Sequence, residues 1–117
     1  MKDLGNNLTP VVSTAAVVAS GNATTTAGAE IDLAGFEGAF VMVNSGAEGD
    51  TLASNLKYEF KLYHGDTSGA LVAVSSQLDV TDASIASDGT WLTLDDNAET
   101  PQVSGIGYVG GKQYVRL

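Results

Sequence analysis

Apolar and polar residues alternate with a period of two along much of this chain, and no long segment holds the 3.6-residue period of an amphipathic helix. The clearest stretch is residues 56–63. Leu56, Tyr58, Phe60 and Leu62 face one way there, and Lys57, Glu59, Lys61 and Tyr63 face the other. That pattern predicts one half-buried strand. Residues 30–33 (Glu-Ile-Asp-Leu) and 90–94, around Trp91, alternate in the same way. Residues 39–43 read Ala-Phe-Val-Met-Val without a polar break, which predicts a strand buried on both faces. A first strand is expected over residues 11–20, entered through Pro10, which suits an edge or first position. Residues 70–74 are expected to return as the partner of 56–63, with another short strand at 77–81. Residues 103–109 and 113–117 flank Gly110-Gly111 and predict a tight closing hairpin. Turn-forming clusters separate these runs: Gly21-Asn22, the Thr-rich connector 23–28, His-Gly-Asp-Thr-Ser-Gly at 64–69, and acidic loops at 47–55, 82–89 and 95–101.

Seven to nine short strands spaced about 8–12 residues apart are the signature of a sandwich or barrel. The reading is an all-β, single-domain antiparallel β-sandwich, jelly-roll-like or Greek-key. Residues 1–9 form a flexible, polar N-terminal arm and residues 10–117 the sandwich domain. Composition sharpens this. Fourteen glycines and two prolines among 117 residues describe a small-residue chain, which favours thin layers and subunits that supply part of each other's core. With no cysteine, a disulfide framework and a thiolate metal site are excluded. Fourteen acidic against five basic residues give a net charge of −9, a field that repels phosphate backbones, so nucleic acid is not an expected partner. No run approaches the roughly 20 apolar residues of a membrane span, so no membrane partner is expected either. The apolar stretch 11–19 reads as a strand rather than a secretory signal, because Asp3 cancels Lys2 and Ser13-Thr14 interrupts the run. The chain ends inside its last predicted strand, so either that strand is the true terminus or the natural chain continues.

Candidate chemistry is sparse. His64, Asp66 and Ser68 are triad residue types, but they fall in one turn, and a triad needs base, nucleophile and orienting group to converge. An exposed turn histidine explains His64 more simply. No catalytic residue and no cofactor is assigned. The single histidine excludes a multi-histidine metal site within one chain. Asp95, Asp96 and Glu99, or Glu48 and Asp50, offer oxygen ligands of the kind calcium takes, yet solvated acidic turns account for them, and no metal site is assigned. Trp91, Tyr58, Tyr63, Tyr108 and Tyr114 are the residue types of a sugar platform, but core packing explains the alternation around Trp91.

Several blocks together carry a resemblance. They are the start Met1-Lys2-Asp3-Leu4, the block Ile31-Asp32-Leu33-Ala34-Gly35-Phe36-Glu37-Gly38-Ala39-Phe40-Val41, then Phe60-Lys61-Leu62-Tyr63-His64-Gly65-Asp66. The closing run is Gly107-Tyr108-Val109-Gly110-Gly111-Lys112-Gln113-Tyr114-Val115-Arg116. In order and spacing the chain resembles small virion structural proteins of tailed bacteriophages. The resemblance implies a non-enzymatic decoration or cement protein on the exterior of the head. Its implied partner is the major capsid protein, and it is expected to form a homo-oligomer, a trimer in keeping with the threefold positions of a shell. A tail or neck part, or a carbohydrate-binding sandwich of a head fibre or adhesin, is the alternative. The contact surfaces expected on this reading are the arm, with Lys2, Leu4 and Leu8, the Lys57 and Lys61 row, and the closing segment with Lys112, Tyr114 and Arg116.

Overall fold

A computed structural model describes residues 7–16 and 26–117, and these form an all-β, antiparallel structure. Nine strands run in chain order: β1 (Ile31–Asp32), β2 (Ala39–Ser45), β3 (Tyr58–Lys61), β4 (Tyr63–Gly65), β5 (Val72–Ala73), β6 (Val80–Thr81), β7 (Thr90–Leu94), β8 (Gln102–Tyr108) and β9 (Tyr114–Arg116). Single 3₁₀ turns at Gln77–Asp79 and Asn97–Glu99 are the only helical pieces among the described residues, and no helix there is long and apolar enough to cross a membrane.

The strands form a four-stranded sheet in the order β1-β9-β4-β5, a three-stranded sheet β2-β8-β6, and the pair β3-β7. Their pairing is nested. Ile31 faces Val115, Ala39 faces Tyr108, Tyr58 faces Leu94, and Tyr63 faces Ala73. The chain thus folds back on itself as a long ribbon that passes from sheet to sheet, the jelly-roll-like arrangement expected. One apolar core lies between the sheets: Leu33, Leu62, Val74, Val80, Ile106, Tyr108 and Val115, with Ile31, Val41, Ile85 and Trp91 packed against it. Trp91 belongs to that core, as its alternating context implied.

Several expectations are corrected. The predicted strand over 56–63 is two strands in two sheets. The register slips between Phe60 and Lys61, and Leu62, fully buried, is the hinge. Its N–H donates to the Gly89 carbonyl and its carbonyl accepts from Val74 N–H, so its backbone groups are satisfied while the chain changes sheet. Residues 103–109 and 113–117 are strands, but they do not form a hairpin. β8 is taken up by β2 along its whole length and β9 by β1 and β4, so Gly110-Gly111 is a crossover between sheets. Gly111 does hold a positive φ of 71°, and a side chain at Gly110 would strike the Tyr108 ring. β2 is not buried on both faces: Ala39, Val41 and Val43 point inward, while Phe40 and Met42 point to solvent. Of the expected first strand, residues 11–16 are not a strand, though Ser13 bonds to Ala29 through backbone and hydroxyl. Residues 17–20 lie outside the described residues, as does the Gly21-Asn22 turn. Residues 77–81 divide into a 3₁₀ turn and β6, because Ser76 caps Leu78 N–H and starts a turn before the strand can form.

Candidate functional site

Two regions of the surface stand out, one polar and one apolar. The polar one lies at the corner where the ribbon changes sheets. Three segments meet there: the turn after β1, the crossover after β8, and the turn after β4. They enclose an open recess of about 280 Å³ lined by Leu33, Phe36, Glu37, Asp66, Tyr108 and Lys112, among others. The Tyr108 ring is 1% exposed and meets the His64 ring edge-on, with centroids 5.6 Å apart. Its hydroxyl accepts the Lys112 backbone N–H at 3.1 Å and lies 2.8 Å from His64 Nδ1. With two lone pairs and one proton, the hydroxyl can serve Lys112 N–H and the imidazole together, donating to Nδ1 or accepting from it according to the tautomer. Burial pushes the Tyr108 phenol above its usual range. Outside this buried pair, Lys112 Nζ reaches Asp66 Oδ2 at 2.6 Å, and that hydrogen bond holds the Asp66 carboxyl below its usual range.

His64 is therefore not an exposed turn residue. It sits half-buried on β4, and its partner is a tyrosine 44 residues away. The other triad types look elsewhere: Asp66 to Lys112, and Ser68 Oγ to Glu30 Oε2 at 2.8 Å. The acidic loops are likewise engaged. Glu99 Oε2 accepts N–H from Asp95 and Asp96, and Asp96 accepts from Ala98, a capping box. Asn97 ties Glu48 and the backbone of Asp50 and Leu52 to the same turn. Among the described residues, no three histidine, aspartate or glutamate side chains gather to hold a metal ion.

Among the described residues, the basic side chains expected at an interface are in internal pairs. Lys57 meets Glu59 at 3.1 Å, Lys61 meets Asp88 at 2.6 Å, and Arg116 lies 3.9 Å from Glu30 with its guanidinium over the Tyr63 ring. Tyr114 is half-buried, and its hydroxyl accepts from Gln113 Nε2. Leu8 is exposed, and Lys2 and Leu4 lie outside the described residues. Arg116 and Tyr114 lie on β9 beside Tyr63 and Gly65 of β4, with Lys112 close by at Asp66. Exposed pairs of this kind contribute little to stability, but they do occupy the cations.

The apolar region was not anticipated. On the outer face of the β2–β8 pair, Phe40, Met42 and Val103 are 59%, 64% and 60% exposed. Gly105 and Gly107 of β8 lie opposite Met42 and Phe40. A side chain at Gly105 would strike the Phe40 ring, whose outer atoms occupy the space beside the glycine. The signal in the sequence was Gly105, which has no side chain with which to cover Met42 opposite it. Comparison with protein-family models, with curated proteins and with solved structures returns no match.

Proposed function

We propose that this protein is a non-enzymatic structural component of a tailed-phage virion, a decoration or cement protein that binds the major capsid protein on the outside of the head shell. The observation that supports it best is the apolar face of Phe40, Met42 and Val103 on a small acidic β module. Exposed apolar side chains gathered on one face mark a surface that meets another protein. With Lys57, Lys61, Lys112 and Arg116 held by the protein's own carboxylates, this face replaces the basic row as the favoured contact with the shell. The acidic remainder keeps the exterior soluble and away from nucleic acid.

The test is sedimentation of the purified protein with empty capsids that lack it. Saturable co-sedimentation at a symmetry-related ratio, together with capsids that survive more heat, supports the reading. Failure to bind shells, with assembly into rings or tubes instead, supports a tail or neck part and refutes the head assignment.

A further inference from the structure

β2 is the outer strand of its sheet, and among the described residues it pairs with β8 alone. Proteins usually protect such edges with charge, proline, a bulge, shortness or a covering segment. The other exposed edges here follow that rule. β1, β5 and β6 have two residues each, and β3 carries Glu59, Lys61 and the register slip. β7 is uncharged, but all its residues are half-buried or buried. β2 breaks the rule. It has seven residues, Ala-Phe-Val-Met-Val-Asn-Ser, with no charge and no proline, and its register with β8 is unbroken from Ala39 to Ser45.

We infer that this edge pairs with the same edge of a second copy of the chain, antiparallel about a twofold axis at Met42. Two observations bear on it: charge sets where two copies can meet, and self-complementarity sets the partner. The first is charge. Each copy carries a net charge of −9, and the described cations are bound to the copy's own carboxylates, so no basic patch is available to meet an acidic one. Two such chains meet at least cost through an uncharged strand. The second is self-complementarity. A twofold at Met42 uses all seven residues and sets Met42 opposite Met42, Val41 opposite Val43, Phe40 opposite Asn44 and Ala39 opposite Ser45. Inward residues stay on the core side and outward ones on the solvent side, as one continuous sheet requires. The outward-pointing backbone groups find partners whichever alternate set they belong to. The result is a six-stranded sheet, β6-β8-β2 followed by β2-β8-β6 of the second copy. Its outer face joins the two Phe40–Met42–Val103 patches into one band.

A seven-residue edge is about 24 Å long. An interface of that length belongs at the small end of specific interfaces, near 1,000 Å² in total, which corresponds to reversible association. An antiparallel edge pair closes as a dimer, so this contact does not build the trimer expected from threefold shell positions. The inference does not depend on shell binding and is tested without capsids.

The experiment is sedimentation equilibrium of the full chain across the micromolar range, with Met42→Lys, Met42→Glu and Leu78→Lys beside it. Leu78 is 89% exposed and lies off the edge, so its variant controls for general loss of surface hydrophobicity. The wild type and Leu78→Lys are expected to show a monomer–dimer equilibrium. Each Met42 variant, which places like charges opposite one another, should dissociate about tenfold more readily or more, with an unchanged circular dichroism spectrum. An equimolar mixture of Met42→Lys and Met42→Glu should recover the dimer mass, because position 42 then faces an opposite charge. A monomeric wild type, a Met42→Lys variant that dimerises undiminished, or a mixture that stays monomeric would each overturn the proposal.

Discussion

Replacing Tyr108 by Phe tests the buried corner most directly, because the ring stays and only the hydroxyl goes. The ring is 1% exposed, between the partners of β8 and the crossover, and Phe fills the same space. What is lost is the acceptor for Lys112 N–H and the hydrogen-bond partner of His64 Nδ1. Each such bond contributes about 1 kcal/mol net, and a half-buried imidazole nitrogen left without a partner is the costlier of the two. The sum is about 2 kcal/mol. With an unfolding entropy of about 2.1 cal/mol/K per residue, that corresponds to a fall of about 8 °C in Tm. Urea titrations followed by circular dichroism should show a lower midpoint with an unchanged m-value, since the surface exposed on unfolding is the same. The alkaline limb gives a second readout. Burial raises the phenol above the ordinary tyrosine range, about 10, so the folded state keeps a proton that the unfolded state gives up. The resulting contribution is complete below pH 10 and is lost as pH rises through the folded value, so the gap between wild type and Tyr108→Phe should close there. A Tm within about 1 °C of wild type at neutral pH, or a gap indifferent to alkali, would refute the reasoning.

Other perturbations address the hinge and the surface pairs. Leu62→Ala removes a fully buried side chain at the point where the chain changes sheet, and should cost about 3 kcal/mol by chemical denaturation. Gly89→Ala forces a side chain into a backbone with φ of 86°, 2.7 Å from the Leu62 carbonyl, and should lose at least about 2 kcal/mol, whereas Gly46→Ala, in open space, should be nearly neutral. Hydrogen bonds from Lys61 and Lys112 hold the carboxyls of Asp88 and Asp66 below their usual range, so their contribution is present above about pH 4 and lost as pH falls through the folded values. Asp88→Asn should therefore flatten the acid limb of a Tm-against-pH profile while changing neutral Tm only slightly, and added salt should act in the same direction.

The strands were legible where side chains alternate against a polar face, as in Thr90–Leu94 and Tyr58–Lys61, because one period determines both conformation and facing. The Ala39–Ser45 run was legible as a strand but not in its burial. An apolar residue reads the same whether a core or a neighbouring copy receives it, so Phe40 and Met42 were assigned inside. Pairing was hidden for a different reason. Glycine pairs report a local change of direction, but they do not say whether the flanking strands meet. In the nested ribbon Val115 belongs to Ile31 and Tyr108 to Ala39, and those distant partners outcompete a hairpin at Gly110-Gly111. The same distance hid the partner of His64, whose sequence neighbours advertised the wrong chemistry.

These particulars bear on one question: why a chain so rich in small residues keeps bulky apolar groups in solvent. The interior does not need them. Its core of Leu33, Leu62, Val74, Val80, Ile106, Tyr108 and Val115 closes between the sheets without Phe40 or Met42. Solubility argues against them, and the net charge of −9 only partly offsets an uncharged edge of seven residues. Selection for the monomer alone would put lysine or glutamate at the outward positions of β2, at no cost to packing. Gly105 accommodates the Phe40 ring in the space a side chain would take, whereas Thr81 fills the corresponding space above Gly107. An exposed, uncharged edge and an apolar face in the same place are what the proposed pairing of two copies would bury together.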